Sequence, residues 1–436
     1  MPRKRHDRLS ASLGTALLPW RSRGLSPCPA YLFFGITSPE NAPILGNLYP
    51  TDQSHMLNSE DLTEGSELPT DTLLRPDLSA RGIAAGRVRW YSIASLVVIA
   101  ACLAEFLTGS TPVLGPIVNP LGFAFNLGLY GGGALLIREA AIHWGKRWGA
   151  VLLLGGAYAV GEEGFAAKTM IDPISPIIGN QLYSHWAGVN WLPLADLTVF
   201  HSAFSMAVPL LLLELTFPET RGRRLLGRMG LATTIAVYAI TVLLLSLFLG
   251  DPYTPPLYVT VFLAAYASAF IAAAYLAPRS FLGAKGERPD RRERSFLLLG
   301  LGFMGGFFLS SGSLNTGWIV ERLLPWPIAT VLVLPLAGFT TWYLVKHAGR
   351  SGNDLVKIDF LLGMSLVFVP IDILGELGGD TGVLLFTALV LAMLILLRRR
   401  VRRLENANLP PANQLTTAQT ADETDRRPET SLESRS

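Results

Sequence analysis

The chain has 436 residues, half of them hydrophobic and only 16% charged, with a mean hydropathy of +0.38. A soluble protein carries about 25% charged residues, so the composition excludes a set of ordinary soluble domains and points to a membrane protein with polar appendages. The net charge of +3 is small and its basic residues form no single patch, and the two cysteines, Cys28 and Cys102, lie in unlike contexts; nucleic-acid binding, a disulfide framework and a cysteine-built zinc site are therefore set aside.

Residues 1–88 hold no apolar stretch near the roughly 20 residues needed to cross a bilayer. Arg3, Lys4 and Arg5 imitate the basic start of a signal peptide, but no small-residue cleavage site follows the short apolar run at 29–37. Residues 50–80 are rich in Ser, Thr, Glu, Asp and Pro, a composition that cannot bury a core. A disordered polar extension over 1–88 is expected, with translation from Met56 as an equal alternative. Residues 404–436 are expected to form a similar disordered tail.

Between these ends, over 89–403, apolar runs alternate with short polar punctuation, and the expected fold class is an all-α polytopic bundle of about ten transmembrane helices. The spans are read at 91–108, 122–142, 148–167, 193–216, 229–249, 257–277, 296–312, 325–345, 357–375 and 380–397. Each is close to the length that about 30 Å of hydrocarbon demands at about 1.5 Å per residue. The seventh is short and glycine-rich; the ninth carries Pro370 mid-run.

Loop charges set the orientation. Arginines and lysines crowd alternate loops, as at Arg221, Arg223, Arg224 and Arg228 or Arg398, Arg399 and Arg400, whereas the opposite loops offer Lys168 and Arg322. Both termini are expected to be cytoplasmic, in the plasma membrane. Trp90, Trp144, Trp148 and Trp342 then fall at the inner interface, and Trp186, Trp191, Trp318 and Trp326 at the outer, the level that amphipathic rings prefer.

Charged groups inside spans cost about 3 kcal/mol or more at mid-depth, so each needs a reason. The clearest case is Glu162-Glu163 in the third span, flanked by Gly161 and Gly164. Counted from the cytoplasmic end, Glu162 lies about 21 Å along the helix, in the outer third of the membrane. Neighbouring residues are about 100° apart on a helix, so at least one carboxylate faces protein. The glycines allow a close helix approach or a local loosening of the backbone.

The fourth span runs back, and its His201 sits about 13 Å below the outer boundary, against about 9 Å for Glu162. Sequential antiparallel spans usually pack together, so Glu162, Glu163 and His201 are read as one candidate site. It suits proton relay or, through N and O donors, a divalent cation; no cofactor is certain.

Secondary candidates are Glu105 at the outer end of span one, where interfacial water is the plainer explanation, and Asn126 with Tyr130, four apart on one face of span two. Asp372 and Glu376 share a face at the outer end of span nine. Arg138-Glu139 reads as structural, with Arg138 snorkelling to the headgroups. The outer connection 168–192, neither wholly polar nor wholly apolar, is read as an interfacial cover for the cavity.

The pair Glu162-Glu163 followed by His201 resembles the CPBP (CAAX-protease and bacteriocin-processing) intramembrane metalloproteases, which carry a Glu-Glu pair in one span and Phe-x-x-x-His in the next. The resemblance implies peptide cleavage within the membrane through a metal-bound or activated water. It is limited to these three residues: Lys168 stands one place beyond the family's arginine, and the later intramembrane histidine has no counterpart.

Three function classes stay open. A ten-span chain with acidic groups in the outer half of the membrane points first to proton- or cation-coupled transport, and without a Gly-x-x-x-x-Gly-Lys-Ser/Thr loop ATP-driven pumping would require a partner. An intramembrane hydrolase using Glu162 as base and His201 as ligand or acid is the second, and a non-catalytic scaffold the third. The lipid bilayer is the one partner implied; the substrate, whether small molecule, ion or membrane peptide, is open.

Overall fold

The computed structural model of the protein describes residues 78–249, 252–282, 293–311, 323–347, 354–379 and 381–407. The expected N-terminal extension up to residue 77, with Met56, and the tail beyond residue 407 lie outside the described residues, as do Trp318 and Arg322.

Ten long helical segments follow one another in the described residues, besides the short helical turns Gly115–Val118 and Pro218–Thr220. They are α1 (Leu78–Glu105), α2 (Pro120–His143), α3 (Trp148–Ala159 continued by Val160–Ala166), α4 (Trp191–Thr216) and α5 (Arg228–Leu244 continued by Leu245–Leu249). The second half supplies α6 (Leu257–Leu276), α7 (Glu293–Ser311), α8 (Trp326–His347), α9 (Asp354–Gly378) and α10 (Val383–Ala407). Each expected span falls on one of them, and α1 begins ten residues ahead of the boundary read at 88.

Seven of the ten are long and apolar enough to cross a membrane. The other three have identifiable reasons for falling short: α3 carries Glu162 and Glu163, α7 is short, and α10 ends in an arginine cluster. In α9 the helix breaks at Val367, between Asp354–Leu366 and Phe368–Gly378. Pro370 has no N–H to give the Leu366 carbonyl, which removes one rung of the ladder there.

Among the described residues two large apolar cores form, and α4 belongs to both. Met206, Leu210 and Leu213 of α4 pack with α1, α2 and α3 around Ala100, Leu135 and Leu154. Phe204, Val208 and Leu212, on its other side, pack with α7, α8, α9 and α10 around Phe296, Val333, Ile358 and Leu394. The helices on the outside expose apolar side chains in quantity, among them Met229, Ile240, Leu257, Val261, Leu334 and Leu389. Such surface is too extensive for water and suits acyl chains.

Glycines set the two tightest crossings. A Cβ on Gly300 of α7 would stand 2.1 Å from the Phe360 carbonyl oxygen, and one on Gly363 of α9 2.0 Å from that of Leu297, so the two backbones touch reciprocally. Between α3 and α4, a Cβ on Gly155 would stand 2.7 Å from Ser202 Cα. That contact brings the third and fourth helices together beside His201.

At the end where α2, α4 and α9 carry their basic loops, Arg138 is buried rather than snorkelling. Its guanidinium donates to the Thr220 carbonyl at 2.7 Å and lies 3.3 Å from Glu139. Glu139 in turn accepts from the backbone N–H of Leu225 at 2.6 Å and from Arg224 at 3.2 Å. The short α4–α5 connection brings its backbone groups to this pair, so burial is compensated and the headgroup level is not needed. Arg221 extends the network to Asp354 of α9 at 2.8 Å.

The connection between α3 and α4 folds over the helix ends that it joins. Two short antiparallel ladders pair Ile174 with Asn180 and His185 with Asn190. Met170 and Ile171 are buried against Ala159, Val160, Val259 and Leu263, so this segment is part of the core as well as a cover.

Candidate functional site

Among the described residues, four stretches of helix are wound wider than α, with i→i+5 hydrogen bonds: Leu127–Gly131, Val160–Ala166, His201–Ala207 and Leu245–Leu249. Three of them hold Tyr130, Glu162 with Glu163, and His201. Wide turns of this kind insert an extra residue into a helix and are frequent at functional sites. In α3 the Gly161 and Gly164 pair flanks the widened turn, which is the local loosening that these glycines permit.

The consequence is geometric. In a regular helix two adjacent carboxylates diverge by about 100°, yet here both reach the same imidazole. His201 Nδ1 lies 3.2 Å from Glu162 Oε2, and its Nε2 lies 3.0 Å from Glu163 Oε1. Glu162 and His201 are 3% and 4% exposed, and Glu163 is half-buried. Thr169 fixes Glu163 from the other side by donating its hydroxyl to Oε2.

The positions of these groups are tied by the backbone around them. Lys168 adopts a positive φ of 60° and ends α3. Asn190, fully buried just before α4, donates its amide to the Thr169 and Asp172 carbonyls at 2.8 and 2.6 Å. One asparagine thus binds the end of the Glu-bearing helix to the start of the His-bearing one.

Aromatic rings pack around the imidazole. Tyr130 lies parallel to the His201 ring at 6.5 Å between centroids, and Tyr158 approaches it at 6.0 Å. A Cβ on Gly133 would stand 2.4 Å from the Tyr158 ring, so that glycine makes room for it.

Three buried polar atoms in this cluster have no aligned hydrogen-bond partner: Glu162 Oε2, His201 Nδ1 and the Tyr158 hydroxyl. The Nδ1–Oε2 approach is an ion-pair distance without hydrogen-bond alignment. Buried polar atoms are normally satisfied, so this arrangement has capacity for a guest. One donor atom each from Glu162, Glu163 and His201 lie within 4.8 Å of one another. Ligand bonds of about 2.1 Å would require these atoms to draw together to about 3.4 Å apart, and the N/O chemistry suits a first-row divalent ion better than calcium.

Among the secondary candidates, Tyr130 joins the site and Glu105 stands at its edge, half-buried and accepting from the Thr111 hydroxyl. Interfacial water is therefore not needed to explain Glu105. Asn126, half-buried, makes no side-chain hydrogen bond to another described residue. Asp372 and Glu376 serve the α9–α10 turn instead: Asp372 accepts from Thr387, and Glu376 accepts from the backbone N–H of Gly382 at 3.0 Å. A carboxylate at a helix start satisfies its free N–H groups, which is why the acidic pair stays there.

Sequence reasoning passes over Tyr158, Thr169 and Asp196. A lone aspartate in the run Leu192-Pro-Leu-Ala-Asp196-Leu is itself the signal for the last of these; tyrosine and threonine in apolar runs carry none.

A family model described as "Uncharacterized membrane protein family" matches residues 94–287, a stretch that holds the C-terminal part of α1, all of α2 to α6, and the whole Glu162, Glu163, His201 cluster. No curated protein and no solved structure matches the chain. With the seven apolar helices, this makes the chain a multi-pass, all-α membrane protein.

Proposed function

We propose that the chain is a proton- or cation-coupled transport protein whose coupling site is Glu162, Glu163 and His201. One observation carries the reading: an imidazole held between two carboxylates in a buried site between membrane helices. With both carboxylates ionised, a neutral imidazole leaves two negative charges in a low-dielectric setting, and a bound proton or cation offsets them. A neutral imidazole has one donor and one acceptor nitrogen and an imidazolium two donors. A proton arriving on one side of the ring can therefore leave from the other. Tyr130, Tyr158 and Glu105 flank this path.

The orientation that fits the loop charges puts both termini in the cytoplasm of a plasma-membrane protein, with the site in the outer half of the bilayer. In proteoliposomes loaded with a pH-sensitive dye, an imposed membrane potential is expected to move protons, and a sodium gradient to do so if a cation exchanges with them. Glu163→Gln and His201→Ala are expected to abolish the signal. Equal flux in the native protein, both variants and empty vesicles would overturn the reading.

The unpartnered Glu162 Oε2, His201 Nδ1 and Tyr158 hydroxyl favour a second reading, a metal-dependent intramembrane hydrolase resembling the CPBP proteases. A bound divalent ion would supply Lewis acidity and an activated water; the chain's own part is to present one imidazole and two carboxylates and to exclude bulk water with its tyrosines. Metal analysis separates the two. A stoichiometric divalent metal lost in Glu163→Gln and His201→Ala, with hydrolysis of a membrane peptide, supports the hydrolase. A scaffold role stands if neither substitution changes any assay.

A further inference from the structure

A second buried carboxylate lies on the opposite side of α4. Leu192 packs against Ala329 of α8, and Phe200 stacks on Phe307 of α7 with ring centroids 5.6 Å apart. Asp196 is four residues after the first and four before the second, so it shares their face. Leu194 and Leu197 face away, into the core formed with α3 and α6, the direction His201 also takes. Asp196 therefore looks into the seam between α4, α7 and α8.

Its side chain is buried, at 4% exposure, and its Oδ1 has no hydrogen-bond partner. No ion pair joins it to any described residue. The Thr330 hydroxyl, beside Ala329, is likewise buried and unpartnered. Among the described residues, Tyr183 of the α3–α4 connection packs against Leu192 and Ala329 at one end of the seam, its hydroxyl donated to the Leu324 carbonyl at 2.6 Å, and the charged groups of α7 and α8 are remote. Arg294 of α7 is about 20 Å along its helix from Phe307, and Lys346 and His347 of α8 are about 25 Å from Ala329. On α3, Glu162 and Glu163 address the other face of α4.

An unpaired carboxylate anion in such a place costs several kcal/mol. One carboxyl and one hydroxyl fall short of the four ligands of a zinc site or the six to eight oxygens around calcium. The ligand that a lone carboxyl can hold is a proton.

We propose that Asp196 is a second proton-binding site of this protein, held as the carboxylic acid in the α4–α7–α8 seam and independent of the Glu162, Glu163 and His201 cluster. α4 then carries a proton-binding group on each of two opposite faces. A proton leaving Asp196 leaves an anion that the dry seam cannot hold, so its loss admits water between α4 and α8.

Infrared difference spectroscopy on the full chain in lipid tests this directly. Subtracting the spectrum of Asp196→Asn from that of the native protein at neutral pH is expected to leave one carbonyl-stretch band of a protonated carboxyl, shifted in heavy water and unchanged in a Glu163→Gln background. Asp196→Leu supplies the same difference if Asn is not tolerated. Carboxylate bands in place of the acid band would overturn the proposal, as would loss of the band on adding sodium, which would make the site a cation site. As a second readout, Thr330→Cys is expected to gain reactivity toward a water-soluble maleimide as pH rises, with thiol ionisation alone giving the rise in Asp196→Asn and the native background exceeding it several-fold. An equal rise in both would contradict the link between this proton and the seam.

Discussion

His201 is the residue on which the chemistry turns, because each ring nitrogen faces a different carboxylate. Replacing either acid by its amide keeps the shape and removes one of two like charges, so Glu162→Gln is expected to leave thermal stability unchanged or raised while proton or cation binding is lost. Calorimetric titration beside a melting curve would show both. Tyr158 distinguishes the roles of the unpartnered atoms. Its hydroxyl makes no aligned hydrogen bond, so Tyr158→Phe is expected to cost little stability, within about 0.5 kcal/mol. If that hydroxyl helps hold a bound ion, the same change weakens binding several-fold. A drop in stability with binding intact would instead make it a structural donor. The glutamates and the histidine were legible in the sequence because charge in an apolar run is costly. Tyr158 was not, since a tyrosine there is ordinary core.

At the scale of the element, the site depends on how α3 and α4 are wound. Their wide turns, Val160–Ala166 and His201–Ala207, each hold one residue more than an α-helix would. Deleting a single residue from one of them, Ala203 for instance, is expected to restore regular winding, keep the helical content, and abolish ion binding. Circular dichroism and titration of the same sample decide it; retained binding would show that the winding is incidental. Gly155 controls the approach of the two helices, since a Cβ there meets Ser202 Cα at 2.7 Å. Gly155→Ala is expected to cost about 1–3 kcal/mol through overpacking and to weaken the site by separating His201 from Glu163. Span positions followed from hydropathy, because apolar length is a property of sequence alone. The winding did not, because wide turns are selected by tertiary packing around an inserted residue, and the glycines at 161 and 164 signal only that the backbone can yield.

For the whole molecule, the two cores meet on α4, and the buried Arg138–Glu139 pair holds the α4–α5 connection against α2. Glu139→Ala strips the acceptor from two backbone N–H groups and leaves Arg138 buried without its counter-ion, at a cost of about 3–5 kcal/mol. A chemical-denaturation curve in detergent should show that loss, and a loss below 1 kcal/mol would mean the pair is solvated. Arg138 was misplaced at the headgroups because sequence gives depth along a helix but not which loop folds back over it. The membrane class and the helix intervals were readable from composition; the identity of the guest was not, since carboxylates and an imidazole serve protons and metals alike. The most direct test of the central claim is nitrogen magnetic resonance of the protein in lipid with isotope-labelled histidine. The account predicts that the two His201 ring nitrogens respond separately, one to Glu162→Gln and the other to Glu163→Gln, and that both move together when pH changes or a cation is added. A single His201 signal indifferent to both substitutions, to pH and to cations would contradict it.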